Sequence, residues 1–204
     1  MAGQPSRGVF INCPFDPEYQ PLFEAVVFCV TACGFLPRCT LEETDGGVVR
    51  IDTIYKLIRE CNHGIHDISR TEVKGQPYEL PRFNMPLELG IFLGAKKFGR
   101  HSGKKRCLVM DRAPYRFKRF ISDISGQDIK AHGKRPCAVI RQIRNWLQAA
   151  PGKAALPGGT RIWEKYLQFR RELPIIADDA DLDSSQLTFI DYLQLARNWL
   201  ARNR

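Results

Sequence analysis

Short apolar runs alternate with helical patterns through the first two thirds of the chain, and this alternation restricts the fold more than any other feature. Residues 8–13 (Gly-Val-Phe-Ile-Asn-Cys), 35–39, 64–69 (Gly-Ile-His-Asp-Ile-Ser) and 105–111 (Lys-Arg-Cys-Leu-Val-Met-Asp) read as strands, and the first, third and fourth turn polar at their ends. Buried parallel strands have that form, because both faces are covered and only the strand end meets solvent. Helical spacing fills the gaps. Residues 19–33 stop at Gly34, a good residue for a helix end. In residues 49–62, Ile51, Ile54, Tyr55, Leu57, Ile58 and Cys61 mark the expected buried side. Strand and helix alternating at this interval form βαβ units, so the expected fold is a three-layer α/β domain. Its parallel sheet has about five strands, the fifth a short one at 125–129. Sheets of this kind bind ligands beyond the carboxyl ends of their strands, at a crevice in the strand order.

The chain divides into a tail at 1–7, an α/β domain at 8–133 and a helical C-terminal extension at 134–204. The extension reads as helices at 135–149, 160–173 and 185–202, with a Pro- and Gly-containing linker at 151–159 and an acidic turn at 178–183. Its aromatic residues Trp163, Tyr166, Phe169, Phe189, Tyr192 and Trp199 are anchors for packing on the sheet or on a second subunit, and a homo-oligomer is expected. A short helix is expected at 115–122. No apolar run reaches the roughly 18 residues of a membrane span, and the N-terminus lacks a signal-peptide core, so a cytoplasmic protein without membrane attachment is expected. Seven cysteines, an odd number with no CxxC pair, read as reduced thiols. No metal site is expected: Cys29 and Cys33 lack a second ligand pair, and His63 and His66 fall on opposite faces of a strand. Gly46-Gly47 is not followed by the Lys-Ser/Thr of a phosphate loop.

Residues 83–95 are helical, and Glu88 is their single charge. Asn84 is the expected N-cap, and Pro86 fits only because it lies in the first turn. A carboxylate among apolar neighbours is costly unless something satisfies or uses it. The positive end of the helix favours its ionised form. Gly90 and Gly94, one turn apart, are expected to let the helix approach a sheet or another helix closely. Glu88 is then either a core acid bonded to nearby backbone or the acid of a site. The strand ends favour the second reading. Asn12, Cys13 and the Pro14-Phe15-Asp16 turn follow the first strand, Asp67 and Ser69 end the third, Asp111 and Arg112 close the fourth, and the Asn84–Glu88 helix opens onto the same rim.

The net charge of +9 points to an anionic partner. It is concentrated at 96–119, where ten basic residues face one acid, Asp111. A phosphorylated small molecule and nucleic acid are the candidates, beside a merely solvated basic surface. Nucleic acid is the less favoured partner, because neither a known motif nor an aromatic platform accompanies the charge.

Three segments, residues 9–16 (Val-Phe-Ile-Asn-Cys-Pro-Phe-Asp), 64–69 and 84–95 (Asn-Met-Pro-Leu-Glu-Leu-Gly-Ile-Phe-Leu-Gly-Ala), together resemble the nucleoside 2-deoxyribosyltransferase-like and TIR-like superfamily of flavodoxin-like folds. The resemblance covers about residues 8–130. It implies that Glu88, with Gly90 two positions on, is catalytic and meets C1′ of a ribosyl or deoxyribosyl group. It places Asn12, Cys13, Phe15 and Asp16 beside the base or nicotinamide, and Asp67 beside the sugar; Ser69, Asn84 and Asp111 complete the expected substrate-binding set. The chain lacks the Ser/Asp-Gly-Thr that transferases of this type often carry ahead of the Glu, and the Trp or Cys common there in TIR NAD hydrolases. The implied activity is cleavage of the base–ribose bond of NAD or a related nucleotide, with the nucleotide as substrate and no cofactor, as in bacterial defence or stress effectors. A non-catalytic nucleotide-sensing or TIR-like interaction module is the alternative.

Overall fold

The structure, a computed structural model, describes residues 7–71, 83–99, 102–150 and 155–203. Its elements are β1 (Gly8–Asn12), α1 (Gln20–Ala32), β2 (Leu36–Arg38), α2 (Arg50–Glu60), β3 (His63–Asp67), α3 (Asn84–Phe98), β4 (Arg106–Asp111), β5 (Lys130–Ala131), α4 (Pro136–Gln148), α5 (Gly159–Asp178) and α6 (Phe189–Arg202). The five strands form one all-parallel sheet in the order β2-β1-β3-β4-β5. The chain is therefore a three-layer, flavodoxin-like α/β fold with further helices at its C-terminus.

Strand periodicity distributes the core. Val9, Ile11, Ile65, Leu108 and Met110 face α1 and α4, and α5 and α6 pack outside that pair through Phe28, Tyr166, Phe169 and Trp199. Phe10 faces α2 and Phe92 of α3 on the other side, and Ile68 and Val109 face Met85 and Leu89 of α3. His63 and His66 obey the same rule. His63 meets Phe35 and Trp146, whereas His66 meets Phe10 and Phe92 on the opposite face.

Several local expectations are corrected. Tyr55 of α2 is exposed and not part of its buried side, which Ile54, Leu57 and Ile58 form one helical turn apart. The fifth strand is Lys130–Ala131 and not 125–129, because only Met110 and Asp111 of β4 offer it a partner. The expected helix at 115–122 is a short 3-10 turn, Arg116–Arg119, entered through Tyr115 at φ 58°. α5 runs past Pro174 to Asp178, since Leu173 and Ala177 on either side of it are held in the core and tertiary packing outweighs the lost hydrogen bond. α6 begins at Phe189, not 185. Thr188 and Asp191 cap each other there, while Ser185 is used in a separate turn on Asp183. Among the described residues no helix is long and apolar enough to cross a membrane.

Candidate active site

Asn12 of β1 and His66 of β3 are register partners on the face that meets α3. Asn12 Nδ2 donates to Met85 O at 2.9 Å, which fixes the orientation of the amide, and the same nitrogen lies 3.0 Å from His66 Nδ1. His66 Nδ1 is thus an acceptor and its proton is on Nε2. Burial lowers the His66 pKa to about 3, so the ring is neutral. Its Nε2 has no hydrogen-bond partner among the described residues. This pair clamps the first turn of α3 to the sheet, one turn ahead of Glu88.

Glu88 is 8 % exposed. No hydrogen-bond donor or cation among the described residues contacts its carboxylate. Burial raises its pKa from 4.5 to about 7, and the positive charge of Arg50 only partly offsets this. Arg50 is the first residue of α2, where an acidic side chain would suit the helix dipole better. Its guanidinium carbon also lies 6.0 Å from the centre of the Phe15 ring, which packs edge-on against Phe23. Glu88, Arg50 and Phe15 thus share one region of the rim, with Cys13 beside them. Burial and the charges of Asp67 and Glu88 push the Cys13 thiol well up, so it is not a thiolate nucleophile.

The remaining predicted residues form a separate network. Asp67 points to the other face of β3, where it accepts from Tyr19 Oη at 2.6 Å, from Ser69 N at 2.9 Å and from Ser69 Oγ. His132 Nε2 lies 3.0 Å from its Oδ2. Lys134 N donates to His132 Nδ1, which puts the His132 proton on Nε2, within ion-pair distance of Asp67 but outside hydrogen-bond geometry. Burial alone would raise the Asp67 pKa, but His132, Ser69 and Tyr19 hold it below the ordinary range. A cavity of about 120 Å³ beside this network is lined by Ser69, Arg70, Arg112, His132 and Lys134. Asp111 pairs with Arg116 Nε at 2.8 Å and accepts from Arg112 N at 2.6 Å. Burial still keeps its pKa raised despite these partners. Asp16 accepts from Tyr19 N at 3.1 Å and from Arg70, closing the turn into α1.

Two expectations for α3 are corrected. Asn84 is the first helical residue and exposed; Phe83 occupies the cap position, and its side chain makes no capping hydrogen bond. Gly90 and Gly94 do not pack on the sheet: a Cβ at either would meet nothing within 4 Å. The close approach is made by Gly64 of β3, where a Cβ would lie 2.7 Å from the Phe92 ring and 2.8 Å from His66 Nε2. The glycine that admits α3 is therefore on the strand, not on the helix.

Sequence reading missed Arg50, Tyr19 and His132. Arg50 carried a signal, a cation at a helix N-terminus where the dipole disfavours it. Tyr19 and His132 carried none, since each reaches Asp67 only through the fold. The site and fold together define a three-layer flavodoxin-like protein with a buried acid at the carboxyl rim of its sheet. No protein-family model, curated protein or solved structure matches the chain.

Proposed function

We propose that the protein is a nucleotide N-glycosidase that cleaves the base–ribose bond of NAD or a related nucleotide, with Glu88 as the catalytic residue. One observation supports the reading: Glu88 is buried at the carboxyl rim of the sheet, and no described residue supplies it with a contacting cation or hydrogen-bond donor. A ligand bearing positive charge would supply what the fold withholds. The nicotinamide riboside part of NAD is such a cation. The carbon–nitrogen bond at C1′ breaks with its electron pair going to the nicotinamide nitrogen, which leaves neutral and needs no proton. The oxocarbenium centre that remains at C1′ is stabilised or attacked by the Glu88 carboxylate, and water completes the hydrolysis. Arg50 favours the ionised carboxylate. Asn12 and neutral His66 position the helix that bears it. Phe15, half-buried beside Arg50, offers a ring edge to the base.

The test is incubation with NAD and a panel of nucleotides and deoxynucleotides, followed by chromatography for free base. Release of nicotinamide is expected, and Glu88→Gln should reduce it by roughly 10²-fold or more, the scale of losing a main electrostatic element of a site. Full activity in that variant would overturn the assignment of Glu88. Saturable nucleotide binding without product would overturn the enzymatic reading in favour of a sensing module.

A further inference from the structure

We propose that the open edge of β4 receives an extended, acidic peptide segment of a partner protein as an added strand. β5 pairs with Met110 and Asp111 alone, so the first part of β4 lacks a neighbour on that side among the described residues. Alternation along the strand identifies the open groups. Arg106 N donates to Asn62 O and Met110 O accepts from Ile68 N, so the even-numbered peptide groups serve β3. Asp111 O accepts from His132 N on the other side. The amides of Cys107 and Val109 share that parity and face the open edge.

This edge is the wall of a groove of about 910 Å³ that runs between α3 and α4. Leu93, Val109 and Trp146 give it apolar surface, and Lys96, Lys97 and Lys130 stand along it against one acid among its described lining residues, Asp128. Asp128 pairs with Lys130 at 2.5 Å, which leaves the charge of the exposed Lys96 and Lys97 uncompensated within the groove. Gln142 adds a second sign of an absent partner. Its Nε2 donates to Ala131 O at 2.8 Å, while its buried Oε1 has no donor among the described residues. An incoming strand would bring backbone N–H groups to such an acceptor.

The chemistry selects one occupant. Alternating N–H and C=O groups on an open edge match an extended peptide, and strand addition is a general mode of peptide capture. Lysines beside the edge oppose pairing with a second copy, which would bring the same charges together. They favour a segment whose outward side chains are Glu or Asp. Duplex nucleic acid would use the lysines but leave the Cys107 and Val109 amides and Gln142 Oε1 unmatched.

The experiment uses the full chain and a short synthetic peptide in which glutamate alternates with valine and threonine. Binding is read by fluorescence polarisation, and amide exchange is followed residue by residue. Saturable binding that slows exchange at Cys107 and Val109 is expected. Methylating the peptide's backbone nitrogens on one edge, or exchanging Lys96→Glu with Lys97→Glu, should each weaken it roughly tenfold or more, the scale of lost interfacial charge and backbone contacts. Both lysines are exposed, so that variant retains the fold. Absence of binding, or binding indifferent to backbone methylation, would overturn the proposal. So would concentration-dependent protection of the same amides without peptide, which would assign the edge to a second copy. Tighter binding of an oligonucleotide with a steep salt dependence would assign the charge to nucleic acid.

Discussion

Glu88→Gln removes a charge that the fold holds out of water while leaving the side-chain volume nearly unchanged. The Glu88 pKa is raised from 4.5 to about 7, so the native state keeps a proton that the unfolded chain has lost between those values. Stability contributed by the protonated acid is present below pH 4.5 and declines as pH rises, reaching its lowest level above about 7. Glutamine does not titrate. The variant should therefore match the wild type near pH 4.5 and exceed it increasingly as pH rises. A shift of this size, from 4.5 to about 7, converts at about 1.4 kcal/mol per unit to an upper bound of roughly 3.5 kcal/mol. Residual hydration of the carboxylate and the unpartnered glutamine amide reduce this to about 2 kcal/mol. For a chain of this length that is a rise in Tm of about 4 to 8 °C. Thermal denaturation of both proteins at about pH 5 and about pH 8.5 measures it, beside the glycosidase assay. Greater stability with lost turnover marks a residue retained for chemistry. A variant no more stable at the higher pH would show that Glu88 is satisfied within the fold, and the argument for its role would fail.

Arg50→Ala removes the one cation credited with lowering the Glu88 pKa, so the acid limb of the kcat/KM profile should move to higher pH; an unmoved limb would show that Arg50 does not act on the acid. Gly64→Ala should cost about 1 to 3 kcal/mol in denaturant unfolding, because its Cβ would press into the buried Phe92 ring behind Glu88. Gly90→Ala and Gly94→Ala should each stabilise by about 0.5 to 1 kcal/mol, since the added methyl meets open space and alanine is the better helix former. The reverse order would mean that the outer face of α3, and not β3, carries the close approach.

Much of the framework was legible because it depends on local pattern. The apolar runs at β1, β3 and β4 and the helical spacing of α1, α2 and α4 locate those elements within a residue or two, since burial on both faces of a parallel sheet leaves no other composition for the strands. Period two alone places His63 and His66 on opposite faces. Glu88 stands out because a lone acid in an apolar helix is costly wherever the helix packs. The short fifth strand was misplaced because its position depends on the two β4 residues that accept it, and no periodicity resides in so short a segment.

Tertiary structure decided which of the strand-end residues act together. Asn12 and His66 serve the Glu88 side, whereas Asp67, one residue beyond His66, turns to the opposite face and is enclosed by Tyr19, Ser69 and His132. Those partners lie 48, 2 and 65 positions from it in sequence, and two of the three are invisible to any local window. The glycines show the same division. Gly90 and Gly94 have the spacing of a packing stripe, yet the helix turned that stripe outward and docked Phe92 over Gly64 instead. Spacing along the chain dictates which side chains share a face, because helix and strand periods are set by backbone geometry. Which face is buried, and against what, follows only from how the layers pack, because that depends on the apolar surface of every other element at once.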